Sequence, residues 1–332
     1  MNHLHSAAVI CCLIATSIAS QAFEKKSAGE PKVTEGYVST ADGVRLFYQK
    51  VGSGRQTVIV PAALFLARDF RQLADGRMLI FYDMRNRGRS DAVKDSRKIT
   101  IQDDVRDLEA VRAHFGVKRF STIGYSYLGM MVMLYAREHP ERLERVVQLG
   151  PVPLKFGTEY PPQYVNRDDE QIVDGNKYRE LKKLEAEGYS KSHPKEFCEK
   201  QWLVLRVRLV GDPANVDRLG DGNCGLPNEW PVNLDRHFAT HFTSVQKLDV
   251  PWSEMQRLSM PVLTTHGTKD RNAPYGAGRE WASKLPNARL LTIQGGAHNS
   301  WVDAPGIVLP AVRQFLDGKW PDAAKKVAEE TR

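Results

Sequence analysis

The sequence predicts an α/β fold, with a mostly parallel central sheet, helices on both of its faces and a helical cap inserted into the chain. Three observations predict it. Short apolar runs alternate with helix-period segments over residues 36–150, the pattern of a parallel sheet covered on both sides. The strand pattern stops from about Pro151 to Glu254, where charge, aromatic residues and helical periodicity take over. It resumes at Pro261. A connection of that length with no structure of its own is uncommon in a compact domain, so the insertion reads as a subdomain.

The elements follow in order. Tyr37-Val38-Ser39 and Val44 to Tyr48 flank Asp42-Gly43, a hairpin signal, and read as two antiparallel strands. Thr57 to Val60 and Met78 to Tyr82 are short apolar runs suited to buried parallel strands. Ile101, Val105, Leu108, Val111 and Phe115 recur at helical spacing, and Gly116 ends that helix. Phe120 to Ile123 is a strand, followed at once by the helix-like run Met130 to Ala136, and Val146 to Gly150 is a further strand. In the insertion, helices are expected at 175–187, 195–209 and 232–246. Beyond it come strands ending near Thr265 and Ile293, then a covering helix from Ile307 to Leu316. Residues 36–150 and 255–318 thus form the two parts of one core, 151–254 the cap, and 319–332 a charged tail.

Composition narrows the function. With 332 residues, 42% hydrophobic and 26% charged, the chain suits one large globular domain with an insertion. The net charge of +7 is mild, and no basic cluster is interleaved with aromatic residues, which argues against nucleic-acid binding. Ala7 to Ala15 is an apolar core followed by small residues around Ala19-Ser20-Gln21-Ala22. Residues 1–22 therefore resemble a secretory signal, and the polar residues 23–35 read as a linker. The apolar run is too short for a membrane span, so stable membrane insertion is not expected after its removal; an uncleaved anchor is the alternative. Export bears on Cys198 and Cys224. In an oxidising compartment they pair, closing a loop of about 20–30 residues that contributes about 3 kcal/mol. The alternative is two independent buried thiols.

The chemistry centres on Gly124-Tyr125-Ser126-Tyr127, set between a strand and a helix. A serine on a sharp strand-to-helix turn projects its Oγ from the sheet edge, beside a backbone N–H at the start of a helix. Two further strands end in loops that carry Asp270 and then His298, the latter in Gly295-Gly296-Ala297-His298. A serine hydroxyl needs a base, a histidine titrates near neutrality, and a carboxylate fixes that histidine's tautomer. Serine, acid and histidine in this chain order match the nucleophile-elbow arrangement.

On these residues the chain resembles the α/β-hydrolase fold family, most closely the capped group that includes proline iminopeptidases and related esterases. Tyr82-Asp83-Met84-Arg85-Asn86-Arg87-Gly88-Arg89-Ser90 resembles the family's fourth-strand turn, and His266 to Asp270 and Gly296-Ala297-His298 its acid and histidine loops. The resemblance implies Ser126 as nucleophile, His298 as base and Asp270 as its orienter, with no cofactor and no metal. It implies Ala63 and Tyr127 N–H groups as oxyanion donors. The sequence departs from the family at two places. Leu128 stands where a small residue is usual, so its side chain is expected to point away from the sheet. Pro61-Ala62 replaces the usual His-Gly. The expected activity is cleavage of a small carboxylic ester through an acyl-enzyme. An aminopeptidase acting on N-terminal proline in a short peptide is the second possibility. A catalytically silent protein binding a small ligand is a third, and the fold also hosts cofactor-free oxidative chemistry.

Other sites weigh less. His237 and His241 share a face of a cap helix, but Phe238 stands where a zinc-protease helix needs glutamate, so ordinary polar roles are expected. His266 reads as a packed turn histidine, and Asp83 as part of a structural turn. Tyr160, Tyr164, Trp202, Trp230 and Trp252 form either an apolar lid over the site or the cap's own core. Glu159, Asp168, Asp169 and Glu170 form an acidic run that could hold a peptide's amine, although solvated surface charge is its ordinary role.

Overall fold

The computed structural model describes residues 32–328. The strands are β1 (Val33–Ser39), β2 (Arg45–Val51), β3 (Gln56–Pro61), β4 (Arg77–Tyr82), β5 (Phe120–Tyr125), β6 (Leu143–Leu149), β7 (Val262–Gly267) and β8 (Ala288–Ile293). They form one sheet in the order β1-β2-β4-β3-β5-β6-β7-β8, with the first two antiparallel and the rest parallel. This is an α/β-hydrolase sheet. β5 lies in its interior, so Ser126 emerges at the centre of the carboxyl edge.

Alternation along the strands feeds two apolar layers. Ile59 and Ile80 point to one side, where the helices Ile101–His114 and Tyr127–Glu138 contribute Leu108, Met130 and Leu134. Val58, Val60, Leu79 and Phe81 point to the other, against the helices Ala63–Phe70 and Pro305–Leu316. Thr100 caps its helix in a reciprocal box with Asp103. β1 begins at Val33, inside the segment read as linker. It is an edge strand whose polar residues face water, so an apolar pattern is missing there: Glu35 lies opposite Gln49 and pairs with Arg89. The charged tail also packs against the core through its first residues. Ala324 is buried, and Lys325 exchanges backbone hydrogen bonds with Leu290. The segment read as a signal lies outside the described residues. Among the described residues, no helix is long and apolar enough to cross a membrane.

Between β6 and β7 the chain forms helices at Gly175–Ala186, Pro194–Leu205 and Pro231–Gln246, with a one-turn helix at Tyr189–Ser192 between the first two and short 3-10 turns between the last two. Cys198 and Cys224 form a disulfide with their Cα atoms 5.7 Å apart. Many polar links tie this insertion to the core, among them those of Glu229, His241 and Ser244. Glu229 accepts two hydrogen bonds from Arg87, at 2.9 and 2.7 Å. His241 Nε2 lies 2.9 Å from Asp104 Oδ2, and Ser244 Oγ accepts from the Ile101 N–H at 3.0 Å. The paired histidines of the cap helix therefore serve docking. Among the described residues, no group of three His, Cys, Asp or Glu side chains is placed to hold a metal ion.

His237 gives this docking a pH dependence. It is fully buried, its ring stacks on His241 at 5.5 Å, and its Nδ1 takes the Asn86 amide at 3.4 Å. Burial pushes its pKa down to about 2, and the neighbouring Arg87, His241 and Arg236 add to the fall. The unfolded chain takes up this proton below about pH 6.5, and the native state does not. Stability is therefore full above that pH and is lost as pH falls, at about 1.4 kcal/mol per pH unit from this group alone. His237→Gln keeps an acceptor for Asn86 and removes the slope. Melting temperatures measured from pH 7 to pH 5 should fall more steeply in the wild type than in the variant. Parallel curves would refute the assignment.

Candidate active site

The turn after β5 is strained. Ser126 adopts φ 57° and ψ −127°, a backbone region that residues with a Cβ rarely occupy. Its N–H is held by the Leu149 carbonyl at 2.9 Å, and its own carbonyl accepts from Gly129 at 2.9 Å. A Cβ at Gly124 would strike the Leu128 carbonyl, so glycine is required where strand and helix meet. Leu128 is buried and lines the cavity over Ser126. It fits because the close approach is made by its backbone, against Gly124, and not by its side chain. Tyr127 opens the following helix, so its N–H has no intrahelical acceptor.

Asp270 and His298 come together behind this turn. Asp270 follows the end of β7, is buried, and accepts three hydrogen bonds. Its Oδ1 takes the N–H groups of Asn272 and Ala273 at 2.8 and 2.9 Å. Its Oδ2 lies 2.8 Å from His298 Nδ1 and 3.1 Å from His266 Nε2. Burial alone would raise this carboxyl's pKa. The electrostatic pull of His298, with its hydrogen bond, and of the nearby His266 outweighs it and holds the group below the usual carboxylate range. Gly150 makes room for the pair, since a Cβ there would lie 3.1 Å from Asp270 Oδ2 and 3.2 Å from His298 Nδ1. His266 is the packed turn residue read from the sequence: it is buried, its Nε2 hydrogen-bonds the Ala273 carbonyl at 3.1 Å while lying 3.1 Å from Asp270 Oδ2, and its Nδ1 has no partner among the described residues.

The loop after β3 completes the surroundings. Ala62 takes φ 72° and ψ 54°, a left-handed conformation that costs any residue with a side chain. The next N–H, at Ala63, has no acceptor among the described residues. The one after it, at Leu64, is occupied by Asp83 Oδ1 at 2.8 Å. Asp83 also accepts from the Arg89 N–H at 2.9 Å. Burial pushes its pKa up to about 6, against the pull of these two hydrogen bonds. It therefore holds two loops in place.

A cavity of about 480 Å³ lies over the turn, with Ser126, Tyr127, Leu128 and His298 on its floor. Its walls include Phe65 from the core and Phe156, Trp202, Phe238 and Phe242 from the insertion. Of Tyr160, Tyr164, Trp202, Trp230 and Trp252, the five lid candidates read from the sequence, only Trp202 lines this cavity. The Tyr160 hydroxyl donates to Glu280, Tyr164 rests by Tyr275, Trp230 donates to the Cys224 carbonyl and Trp252 packs on Trp281. Of the acidic run, Glu159 and Asp168 do not line the cavity: Glu159 is exposed, and Asp168 pairs with Arg271 at 2.5 Å. Sequence reasoning missed Tyr125, whose ring lies 4.8 Å from that of His298 and whose hydroxyl donates to Asn299 at 2.6 Å. It also missed Arg87 and the Phe238–Phe242 pair. The i, i+4 spacing of those two phenylalanines beside the paired histidines was the available signal.

Comparison with known proteins agrees with this architecture. The family model described as alpha/beta hydrolase fold matches residues 66–305. The proline iminopeptidase of Saccharolobus solfataricus is 24% identical over 86% of this chain and 93% of its own length. The bifunctional esterase/perhydrolase of Acinetobacter calcoaceticus is 24% identical over 79% of this chain and 92% of its own. Among solved structures, the 2-hydroxy-6-oxo-6-phenylhexa-2,4-dienoate hydrolase of Rhodococcus sp. strain RHA1 superposes with a TM-score of 0.65 at 17% identity, over 87% of this chain and 99% of its own. Its relatives are enzymes named as peptidases, esterases and hydrolases, and the chain belongs to the alpha/beta hydrolase family.

Proposed function

We propose that this chain is a serine hydrolase that cleaves a small carboxylic ester through an acyl-enzyme. Ser126 Oγ attacks the ester carbonyl while His298 Nε2 takes its proton. Asp270 holds His298 in the tautomer that leaves Nε2 free to accept, and it stabilises the imidazolium. The N–H groups of Ala63 and Tyr127 receive the oxyanion. The C–O bond to the alcohol breaks, and His298 returns the proton to the departing alkoxide. Water, deprotonated by His298, then attacks the acyl-enzyme and releases the carboxylic acid and Ser126. The observation that carries this reading is the buried His298–Asp270 pair at 2.8 Å, beside a strained serine at the floor of the same cavity.

The apolar part of the lining, which includes Phe65, Phe156, Trp202, Phe238 and Phe242, favours an apolar ester. Similarity to proline iminopeptidases supports amide cleavage after an N-terminal residue as the second reading. We also propose export, consistent with the Cys198–Cys224 disulfide.

A fluorophosphonate probe tests the nucleophile. Wild type should be labelled stoichiometrically, Ser126→Ala not at all, and His298→Ala slowly. p-Nitrophenyl esters run beside aminoacyl-nitroanilides then separate esterase from peptidase. A folded wild type that stays unlabelled would overturn the reading in favour of a small-ligand-binding protein.

A further inference from the structure

Arg87 is a buried guanidinium in the wall of the cavity that holds Ser126. Its Nε and Nη2 donate to the two carboxylate oxygens of Glu229, at 2.9 and 2.7 Å. Its plane is wedged between the rings of Phe65 and Phe238, which lie 5.5 and 5.2 Å from the guanidinium carbon and also line the cavity. Nη1 takes part in neither hydrogen bond and has no other acceptor among the described residues. A planar donor locked by a bidentate carboxylate and two aromatic faces loses little entropy when it forms one more hydrogen bond.

We propose that Arg87 Nη1 is a specificity-determining donor for an uncharged acceptor oxygen on the substrate, a second carbonyl or ether in addition to the scissile ester. The inference rests on the ester-hydrolase reading and names its substrate class. Charge selects the neutral acceptor. Glu229 already neutralises the guanidinium, so a substrate carboxylate would approach a neutral pair with a like charge directly behind it. A plain alkyl ester fares poorly for a different reason. It would expel water from Nη1 and give no acceptor in return, and an unmet buried donor costs a factor on the order of ten to a hundred in kcat/KM.

The experiment uses a matched set of p-nitrophenyl esters on the full protein: hexanoate, its 3-, 4- and 5-oxo analogues, and the anionic glutarate monoester. In the wild type, at least one oxo ester should exceed hexanoate in kcat/KM by on the order of tenfold, and the anionic ester should fall below that oxo ester. Arg87→Lys keeps a cation for Glu229 but lacks the third nitrogen, and it should bring the oxo-to-hexanoate ratio close to one. Arg87→Met combined with Glu229→Gln, which leaves no buried charge, should do the same. The assignment fails if no oxo ester is preferred, if the anion is preferred, or if the preference survives in either folded variant. If neither variant folds, the wild-type ratios decide. Fluorophosphonate labelling run alongside separates the two hypotheses. Labelled enzyme without the oxo preference, including enzyme that turns over none of the esters, overturns the role of Arg87 alone, whereas unlabelled folded enzyme overturns the hydrolase reading.

Discussion

Asp270→Asn should lower kcat for p-nitrophenyl esters by about 10⁴-fold while leaving the protein folded. The three groups hydrogen-bonded to this side chain all donate: two loop N–H groups to Oδ1 and His298 Nδ1 to Oδ2. Asparagine offers only one acceptor oxygen. If that oxygen keeps the loop, the amide NH2 faces His298 Nδ1 and favours the tautomer protonated at Nε2. That imidazole cannot accept the Ser126 proton, so attack loses its base. Wild type and variant are compared by kcat, with circular dichroism to verify the fold. Activity within tenfold of the wild type would show that Asp270 serves the turn and not the chemistry.

Removing Glu229 should have the largest effect on stability. Glu229→Ala leaves Arg87 charged, buried and without a counter-ion, and it also strips the Gly88 N–H of its acceptor at 2.8 Å. Breaking one side of a buried pair costs about 3–5 kcal/mol, which for a chain of this size is a fall in Tm on the order of 10 °C. Because Glu229 sits in the insertion and Arg87 in the core, the loss should appear first as cap opening, read as faster amide exchange over residues 227–246. Combining Arg87→Met with Glu229→Gln should recover most of the Tm, since no unpaired charge then remains. A Tm unchanged by Glu229→Ala would mean that water reaches the pair, and that the cap is held by His241 and Asp104 instead.

Much of the core was legible because each element carries a local signal. The apolar runs at 57–60 and 78–82, the helical spacing from Ile101 to Phe115, and Asp42-Gly43 in a hairpin all act through neighbours in sequence. β1 was partly missed because an edge strand needs no apolar face at its exposed end: Thr34 and Glu35 are ordered by backbone pairing with Lys50 and Gln49. The tail was missed for a similar reason, since Lys325 is held by backbone hydrogen bonds to Leu290 and charge patterns do not reveal such bonds.

Sequence by itself determined the fold class, the inserted helical segment, and the order in which Ser126, Asp270 and His298 arrive at the ends of their strands. These depend on periodicity and on loop residues, which are properties of short stretches of chain. Only the tertiary structure decided what surrounds those three residues. It set His266 Nε2 3.1 Å from Asp270 and made Gly150 the space for the Asp270–His298 pair. It turned Leu128 into the cavity, left Ala63 rather than Leu64 with an unengaged N–H, and set Arg87 against Glu229 across 142 residues of sequence. Burial and hydrogen-bond partners between distant segments are set by packing, and no local pattern in the chain encodes them.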